Sequence, residues 1–393
     1  MSGQPQNRLE LRIVGLLCIP ILCGILVAGL WPFHAPFNQV AWLGNENGLH
    51  FGNHGTVLTS RPFAPGSSAQ AGTSVSLEIW LQPRLAVDSN TILVFYTPLS
   101  PLQFSLHQSE ANLAVRLGSP KQQLKAKGTG MVYVHEIFRQ REPSLVAIAS
   151  GGQGTRVYLN GVLASIAPHF RLSSKNFAGQ LILGTSPVVA DSWSGQMLGL
   201  ALYQHELTAA QALRHFETWT AQGRPDLGLS ERPLALYLFD EHQGRVVHDR
   251  SGAGIDLDIP ERYMIVHEKF LQPPWKEFHQ DWGYWKNVLI NISGFIPLGF
   301  FFCAYWTMAG RLNRPALATV ILGAAVSLTI EVSQAFLPTR DSGMTDLITN
   351  TLGTALGVML FRWQAGLFSR VLNRVTSALL LIRHGGHVPA NHL

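Results

Sequence analysis

The organisation of this chain is decided by one stretch, Ser327-Leu-Thr-Ile-Glu331-Val-Ser-Gln334-Ala-Phe-Leu-Pro338-Thr-Arg340-Asp341-Ser-Gly343-Met-Thr-Asp346-Leu-Ile-Thr-Asn350-Thr-Leu-Gly353-Thr-Ala-Leu-Gly357. It connects two apolar runs, Pro315 to Phe336 and Leu347 to Phe361. Because about 20 apolar residues cross a bilayer, each run is long enough to span most or all of one. Both runs carry more polar residues than a plain membrane anchor needs.

These polar residues fall on shared helix faces. Glu331 and Gln334 are three positions apart, and Asp346 and Asn350 are four apart, so each pair lies on one side of a helix. A carboxylate in hydrocarbon costs about 3 kcal/mol even on lenient insertion scales, so it must face a bundle, a cavity or the headgroup region. The sequence therefore predicts a functional site at these positions.

Two glycines continue the face that Asp346 and Asn350 begin. Gly353 and Gly357 have the Gly-x-x-x-Gly spacing that lets a second helix approach closely. One hairpin is thus predicted to supply both a polar site and its packing seam.

With Asn291-Ile-Ser-Gly-Phe295-Ile-Pro297-Leu-Gly299 before it, this hairpin resembles the VanZ family of bacterial membrane proteins. The resemblance is carried, in chain order, by Asn291, Phe295, Pro297, Gly299, Glu331, Gln334, Asp346, Asn350, Gly353 and Gly357. It implies that residues 287–368 form a VanZ-like helical region. It also implies a cell-envelope protein that is linked to glycopeptide (teicoplanin) resistance or to envelope glycans, in a family with no settled chemistry.

The composition divides the chain into a polar middle between apolar ends. Of 393 residues, 47% are hydrophobic and 13% are charged, values that are high and low respectively for a soluble protein.

The net charge of +5 comes without a Lys/Arg block interleaved with aromatics, so no nucleic acid partner is predicted. Cys18, Cys23 and Cys303 all fall in predicted membrane helices, so no disulfide braces the middle region.

Four membrane spans are predicted, at 13–33, 287–308, 315–337 and 346–362. The first is an uncleaved signal anchor, since no small-residue cleavage site accompanies it. Arginines before the first span, between the second and third, and after the fourth then share one side, which the positive-inside rule makes cytoplasmic. We expect a multi-pass protein of the bacterial inner membrane, with residues 1–12 and a basic tail, 369–393, inside.

Residues 34–260 are predicted to be exported and all-β, followed by an aromatic, membrane-proximal collar at 261–286. Short apolar or β-branched runs are bounded by turn residues at Val75–Leu81, Thr91–Tyr96, Leu113–Leu117, Leu145–Ala149, Thr155–Leu159, Gln180–Leu183 and Gln196–Tyr203. Such spacing is typical of a sandwich or jelly roll. Asn160-Gly161 is the favoured pair for a type I′ hairpin turn.

This region resembles the concanavalin A-like or laminin-G-like (LamG) sandwich, inserted between the first and second spans. The resemblance is carried by Val75–Pro83, Val157-Tyr-Leu-Asn160-Gly161, and Leu183-Gly184 followed by Trp193–Tyr203, with Thr208 as the N-cap of a following helix. It implies carbohydrate or protein binding. The later segments around Leu236 and Asp249 either close the sandwich or mark a circular rearrangement.

Several assignments stay open. Trp80 and Trp193 either stack on sugars or belong to the core, and a calcium site near Asp191 or Asp240 has no run of oxygen ligands behind it. No metal motif and no cofactor are predicted. Asn291 either binds a headgroup or makes an interhelical hydrogen bond.

Two functions follow. In the first, the sandwich holds an envelope polysaccharide or a protein partner and the bundle engages a membrane lipid or a lipid-linked glycan, oligomerisation being open. The binding residues are then Asn291, Gln334, Arg340, Asp341 and Asn350. In the second, the protein is a membrane enzyme acting on a lipid-linked precursor, with Glu331 and Asp346 as acid and base. The competing structural interpretation is a network with Arg340 that pins the hairpin.

Overall fold

A computed structural model describes residues 3–64, 74–118, 130–188, 190–229, 231–267 and 270–385. The chain divides into a helical unit, Met1–His34 with Lys269–Leu393, and a β unit, Ala35–Glu268. The end of the predicted basic tail, from residue 386, lies outside the described residues.

The described residues form six α-helices: α1 (Gly3–Leu30), α2 (Ala209–Gln222), α3 (Pro274–Glu277), α4 (Trp282–Ala309), α5 (Pro315–Gln334) and α6 (Met344–Gly385). Of these, α1, α4, α5 and α6 are long and apolar enough to cross a membrane, judged by length and composition. Local chemistry sets the ends. Asp281 caps α4 by accepting from the Tyr284 N–H at 2.8 Å, and Gly310 ends it in a left-handed conformation.

The last helix is longer than the sequence indicated. Helix α6 begins at Met344 and continues to Gly385, so residues 369–385 of the expected tail extend the helix of the fourth predicted span. Arg362 lies within that helix rather than at its end. The charge of Arg362 therefore does not stop a helix that has good helix-forming residues on both sides.

Within the β unit, the residues that the structure describes form sixteen strands: β1 (Val40–Trp42), β2 (Leu49–Phe51), β3 (Val57–Thr59), β4 (Val75–Pro83), β5 (Thr91–Thr97), β6 (Ser100–Ser109), β7 (Asn112–Leu117), β8 (Met131–Val134), β9 (Ser144–Gly151), β10 (Gly154–Leu159), β11 (Val162–Ala167), β12 (Gln180–Leu183), β13 (Gly195–Tyr203), β14 (Pro233–Tyr237), β15 (Val246–Val247) and β16 (Leu257–Asp258). All seven strands predicted from the sequence are confirmed.

The strands form two antiparallel sheets with one apolar core. One sheet has the order β1-β2-β13-β4-β9-β10-β11, with β14 beside β13, and the other has the order β15-β16-β3-β12-β5-β6-β7-β8. Fully buried side chains from both sheets share one cluster, among them Ile79 and Leu200 of the first sheet and Phe95 and Leu106 of the second. The late strands β14 to β16 extend both sheets, so the segments around Leu236 and Asp249 close the sandwich.

Local predictions in the sandwich hold at atomic detail. Asn160 and Gly161 both have positive φ, 51° and 77°, as a type I′ turn between β10 and β11 requires. Thr208 caps α2 in a reciprocal arrangement with Gln211. Trp193 is fully buried and donates to Gln108 Oε1 at 2.9 Å, so it belongs to the core and is not a sugar platform.

Candidate functional site

The helical unit contains a cavity of about 300 Å³ between α1, α4, α5 and α6. Six of the seven candidate residues from the sequence line it: Asn291, Glu331, Gln334, Arg340, Asp346 and Asn350. Positions 287, 291, 294 and 295 of α4 complete one wall, since they recur on one helix face. Polar residues on separate apolar helices thus meet at one place.

Glycines fix the wall between α4 and α6. A Cβ on Gly353 would lie 2.2 Å from the Ile292 carbonyl oxygen, and one on Gly357 would lie 2.1 Å from that of Ile296. In return, a Cβ on Gly299 would lie 2.0 Å from the Thr354 carbonyl oxygen. The two backbones therefore touch, which confirms the packing seam predicted from the Gly-x-x-x-Gly spacing.

Glu331 is buried, with 1% of its surface exposed, and its Oε2 accepts from the Gly343 N–H at 2.8 Å. Glu277, the last residue of α3, accepts from the Thr345 N–H at 3.0 Å and from the Thr345 hydroxyl. Both carboxylates thus sit at the N-terminus of α6, where unpaired N–H groups and the helix dipole favour negative charge. This gives Glu331 a structural role in addition to its place in the cavity.

The amide side chains are held by their donor ends. Gln334 Nε2 donates to the Gly29 carbonyl at 2.8 Å, and Asn350 Nδ2 donates to Ser327 Oγ at 3.0 Å. Asn291 of α4 and Asp346 of α6 line the same cavity from separate helices.

Arg340 lies at the exposed rim and does not pair with the carboxylates. Its Nε and Nη2 both donate to the Trp31 carbonyl, at 3.0 and 2.6 Å. Within the described part of the chain, neither Glu331 nor Asp346 has an ion pair with a lysine or an arginine. The structural interpretation expected an ion-pair and hydrogen-bond network; the described residues contain its hydrogen bonds but not an ion pair of Arg340 with Glu331 or Asp346.

Asp341 is the one candidate that the structure does not bring into this cavity. It is exposed and lines a neighbouring cleft of about 430 Å³, together with Asp346, Asn287, Lys276 and Glu277. Asp346 and Asn287 border both spaces. Sequence reasoning missed Glu277 and Gly29 because neither belongs to a periodic polar pattern, and a lone acid in an aromatic segment carries no spacing signal.

The sandwich has its own polar cleft, of about 340 Å³, near the ends of β4 and β13. It is lined by His50, Gln82, Pro83, Arg84, Gln140, Arg141, Gly195 and Gln196. Arg84 and Arg141 are exposed, and neither has an acidic partner among the residues that the structure describes. The cleft therefore presents amide groups and uncompensated positive charge.

Asp191 and Asp240, the residues considered for calcium, are engaged by protein donors. Asp191 accepts from the Thr91 N–H and hydroxyl, each at 2.7 Å, and burial raises the pKa of its carboxyl. Asp240 accepts from Arg250 at 2.7 Å. Over the described ranges, no group of three His, Cys, Asp or Glu residues could hold a metal ion.

Family models match both parts of the chain. Residues 234–368 match VanZ/LLP1, and residues 52–212 match the concanavalin A-like lectin/glucanases superfamily. Both resemblances seen in the sequence are confirmed, each for its own part. The chain thus combines a VanZ-like part and a concanavalin A-like sandwich, and its apolar helices together with the VanZ-like part indicate a membrane protein.

Solved structures similar to the chain include a Bacteroides ovatus protein described as carbohydrate-binding, at 15% identity and a TM-score of 0.37, covering 57% of this chain and 63% of that one. A heptameric SAP-like pentraxin from Limulus polyphemus has 14% identity and a TM-score of 0.33, covering 59% and 96%. Domain 4 of a Geobacillus stearothermophilus arabinanase, in complex with arabinotriose, has 14% identity and a TM-score of 0.33, covering 46% and 85%. No curated protein matches the chain.

Proposed function

We propose that this protein is a multi-pass bacterial inner-membrane protein that holds an envelope glycan or a protein partner with its sandwich and binds the headgroup of a lipid or lipid-linked glycan in its helical cavity. The observation that carries the proposal is the meeting, at one cavity, of five polar residues from three apolar helices with Arg340 from the loop between α5 and α6. Polar groups at membrane depth are costly, so their convergence favours a bound polar ligand.

The topology belongs to the proposal. With α1, α4, α5 and α6 as four spans, both chain ends lie in the cytoplasm, and the sandwich, inserted between the first and second spans, lies on the periplasmic or extracellular side. This orientation is supported by the arginines at 311 and 314 and by those from residue 362 onward, which the positive-inside rule places in the cytoplasm. A reporter fused at Asp341 tests it: we expect an external readout, and an intracellular readout would reverse the orientation.

In this proposal the sandwich is the part of the chain that binds the glycan or protein partner. Its family match is to a superfamily of lectins and glucanases, and its polar cleft offers amides together with Arg84 and Arg141. Two uncompensated guanidinium groups suit an acidic polysaccharide, because guanidinium pairs with carboxylate or phosphate in a fork geometry. The partner is therefore expected to be an anionic glycan of the envelope.

The experiment that tests the function as a whole is mass spectrometry of lipids and glycans that copurify with the full-length protein in mild detergent. We expect the wild type to retain a lipid or lipid-linked glycan that a Glu331→Gln/Asp346→Asn variant loses. Host cells that express the wild type or this variant are also compared for their susceptibility to teicoplanin. Equal retention by both proteins would contradict a headgroup site in the cavity.

A second candidate is a membrane enzyme, because both carboxylates of a possible acid-base pair line the same cavity. In that case one carboxyl group would protonate a leaving oxygen on a lipid-linked precursor while the other activates a nucleophile. Single variants separate the two candidates. If Glu331→Gln or Asp346→Asn abolishes turnover of a copurifying lipid while retention stays intact, the enzyme is favoured; loss of retention favours the binding site.

A further inference from the structure

Two buried amide oxygens in the cavity have no hydrogen-bond donor. Gln334 and Asn350 are 7% and 5% exposed, and Gln334 Oε1 and Asn350 Oδ1 make no hydrogen bond within the described residues. The Gln334 NH₂ group donates to the Gly29 carbonyl, so a flipped Gln334 amide would lose that bond, and the Asn350 NH₂ group donates to the Ser327 hydroxyl. Buried acceptors of this kind require a donor from outside the protein chain.

The charge in the same cavity is unbalanced. Glu331 and Asp346 line it, and its one basic lining residue, Arg340, lies at the exposed rim and donates to the Trp31 carbonyl. A carboxylate in a low-dielectric site is stabilised by an opposite charge that can also hydrogen-bond it. The interior thus offers four acceptor groups, and its described side chains supply no cation there.

We propose that the cavity binds the headgroup of a lipid that carries a primary ammonium and a phosphate, as phosphatidylethanolamine does. This inference rests on the proposed function and names the ligand class of that site. The three N–H donors of the ammonium group serve the two amide oxygens and one of the carboxylates, Glu331 or Asp346, and its positive charge stabilises both carboxylates. The phosphate pairs with Arg340, whose guanidinium has five N–H donors and uses two of them on Trp31.

Related headgroups match fewer of these features. A quaternary choline has the charge but no N–H donor, so the amide oxygens stay unpaired. A glycerol or sugar headgroup supplies donors but leaves both carboxylates without a counter-charge. Apolar residues of the lining, Ile25, Ile290, Phe295 and Ile330, suit the glycerol and acyl end of the same lipid.

The experiment uses the full-length protein in mild detergent, titrated with phosphatidylethanolamine, phosphatidylcholine or phosphatidylglycerol of identical acyl chains and followed by native mass spectrometry. We expect phosphatidylethanolamine to bind at least about tenfold more tightly than either competitor, the factor that one charge-assisted hydrogen bond supplies. The isosteric Glu331→Gln/Asp346→Asn variant should bind all three lipids alike.

Glu10→Gln is the matched control. Glu10 is a buried carboxylate of α1 that contacts Thr376 and does not line the cavity, so the lipid preference should survive its replacement. Thermal unfolding of each variant shows whether it is folded.

The outcomes separate the two levels of the proposal. Equal affinity for the three lipids, or a preference for phosphatidylglycerol, overturns the ammonium assignment. If the wild-type protein shows no such preference but still retains a lipid-linked glycan through Glu331 and Asp346, the proposed function is supported and only the ammonium assignment is wrong. If neither lipid nor glycan depends on these carboxylates, both are overturned.

Discussion

The Gly343 N–H donates to Glu331 Oε2 across 2.8 Å, which joins the last turn of α5 to the residue just before α6. This bond closes the loop between two helices from a buried position, so one carboxylate both builds the hairpin and borders the cavity. The structural and functional interpretations of Glu331 are therefore not exclusive, and different substitutions separate them.

Glu331→Ala should destabilise the protein more than Glu331→Gln. The alanine leaves the Gly343 N–H without its acceptor, at a cost of about 1–3 kcal/mol, whereas the glutamine amide oxygen can replace the carboxylate oxygen. The midpoint of thermal unfolding in detergent measures the difference. If both variants unfold at the same temperature, the bond to Gly343 does not stabilise the hairpin.

Gly353→Ala should disrupt the helical unit, whereas Gly366→Ala on the same helix should not. The added methyl group meets the Ile292 carbonyl at 2.2 Å in the first case and nothing within 4 Å in the second. Overpacking costs about 1–3 kcal/mol, and a backbone obstacle cannot turn aside as a side chain can. Yield of folded protein and thermal stability check this prediction, and similar losses in both variants would contradict the seam.

The sandwich should show its own pH dependence through His215, which is buried between Glu78 at 2.9 Å and Glu231 at 3.2 Å. Burial by itself lowers the pKa of His215, but the hydrogen bond and charge of Glu78, with those of Glu231, outweigh it and raise the pKa above 6.5. Burial raises the pKa of Glu231, but hydrogen bonds from Arg214, Gly228 and Gln211 outweigh it and hold the pKa at about 2.

The signs follow from linkage. A raised His215 pKa stabilises the fold fully below pH 6.5, and this is lost as pH rises through the folded value. A lowered Glu231 pKa stabilises the fold above pH 4.5, and this is lost as pH falls toward about 2. We expect this cluster to contribute most between pH 4.5 and 6.5. Intrinsic tryptophan fluorescence during unfolding measures this stability, and His215→Gln should remove the decline at higher pH.

Arg84→Ala/Arg141→Ala should weaken binding of an acidic polysaccharide without unfolding the sandwich, because both side chains are exposed. The wild-type interaction should also weaken with salt, since exposed charge pairs are screened over about 10 Å at 0.1 M ionic strength. Arg139→Ala is the control, as Arg139 is an exposed arginine already paired with Glu136 at 2.8 Å. Equal binding by all three proteins would exclude the cleft.

The fold was predictable where local pattern and tertiary environment agree. The seven predicted strands are apolar runs with turn residues on either side, and the Asn160-Gly161 pair determines its turn almost alone. Strands β1, β3 and β15 are too short to show a pattern, and β6 carries Pro101 and several polar residues. Sheet order depends on pairings far apart in sequence, such as β13 with β4, which no local signal specifies.

The cavity was predictable because polar residues in apolar helices are conspicuous. Asn291, Glu331, Asp346 and Asn350 stand out against hydrocarbon, and their helical spacing fixes which face they share. The contributions of Glu277 and Gly29 are of another kind, since the first caps a helix from a distant segment and the second offers only a carbonyl. Neither contact can be predicted from the residue type at that position.

The direct backbone contact at Gly353 and Gly357 has a mechanical consequence. With no side chains between them, α4 and α6 cannot slide past each other without steric overlap, so they form a fixed jaw beside the cavity. Helix α5 is joined to α6 by the Asn350–Ser327 and Glu331–Gly343 hydrogen bonds, whereas α1 reaches this wall through the Gln334–Gly29 bond and apolar packing. We therefore expect a headgroup that enters from the bilayer to displace α1 while α4, α5 and α6 keep their places.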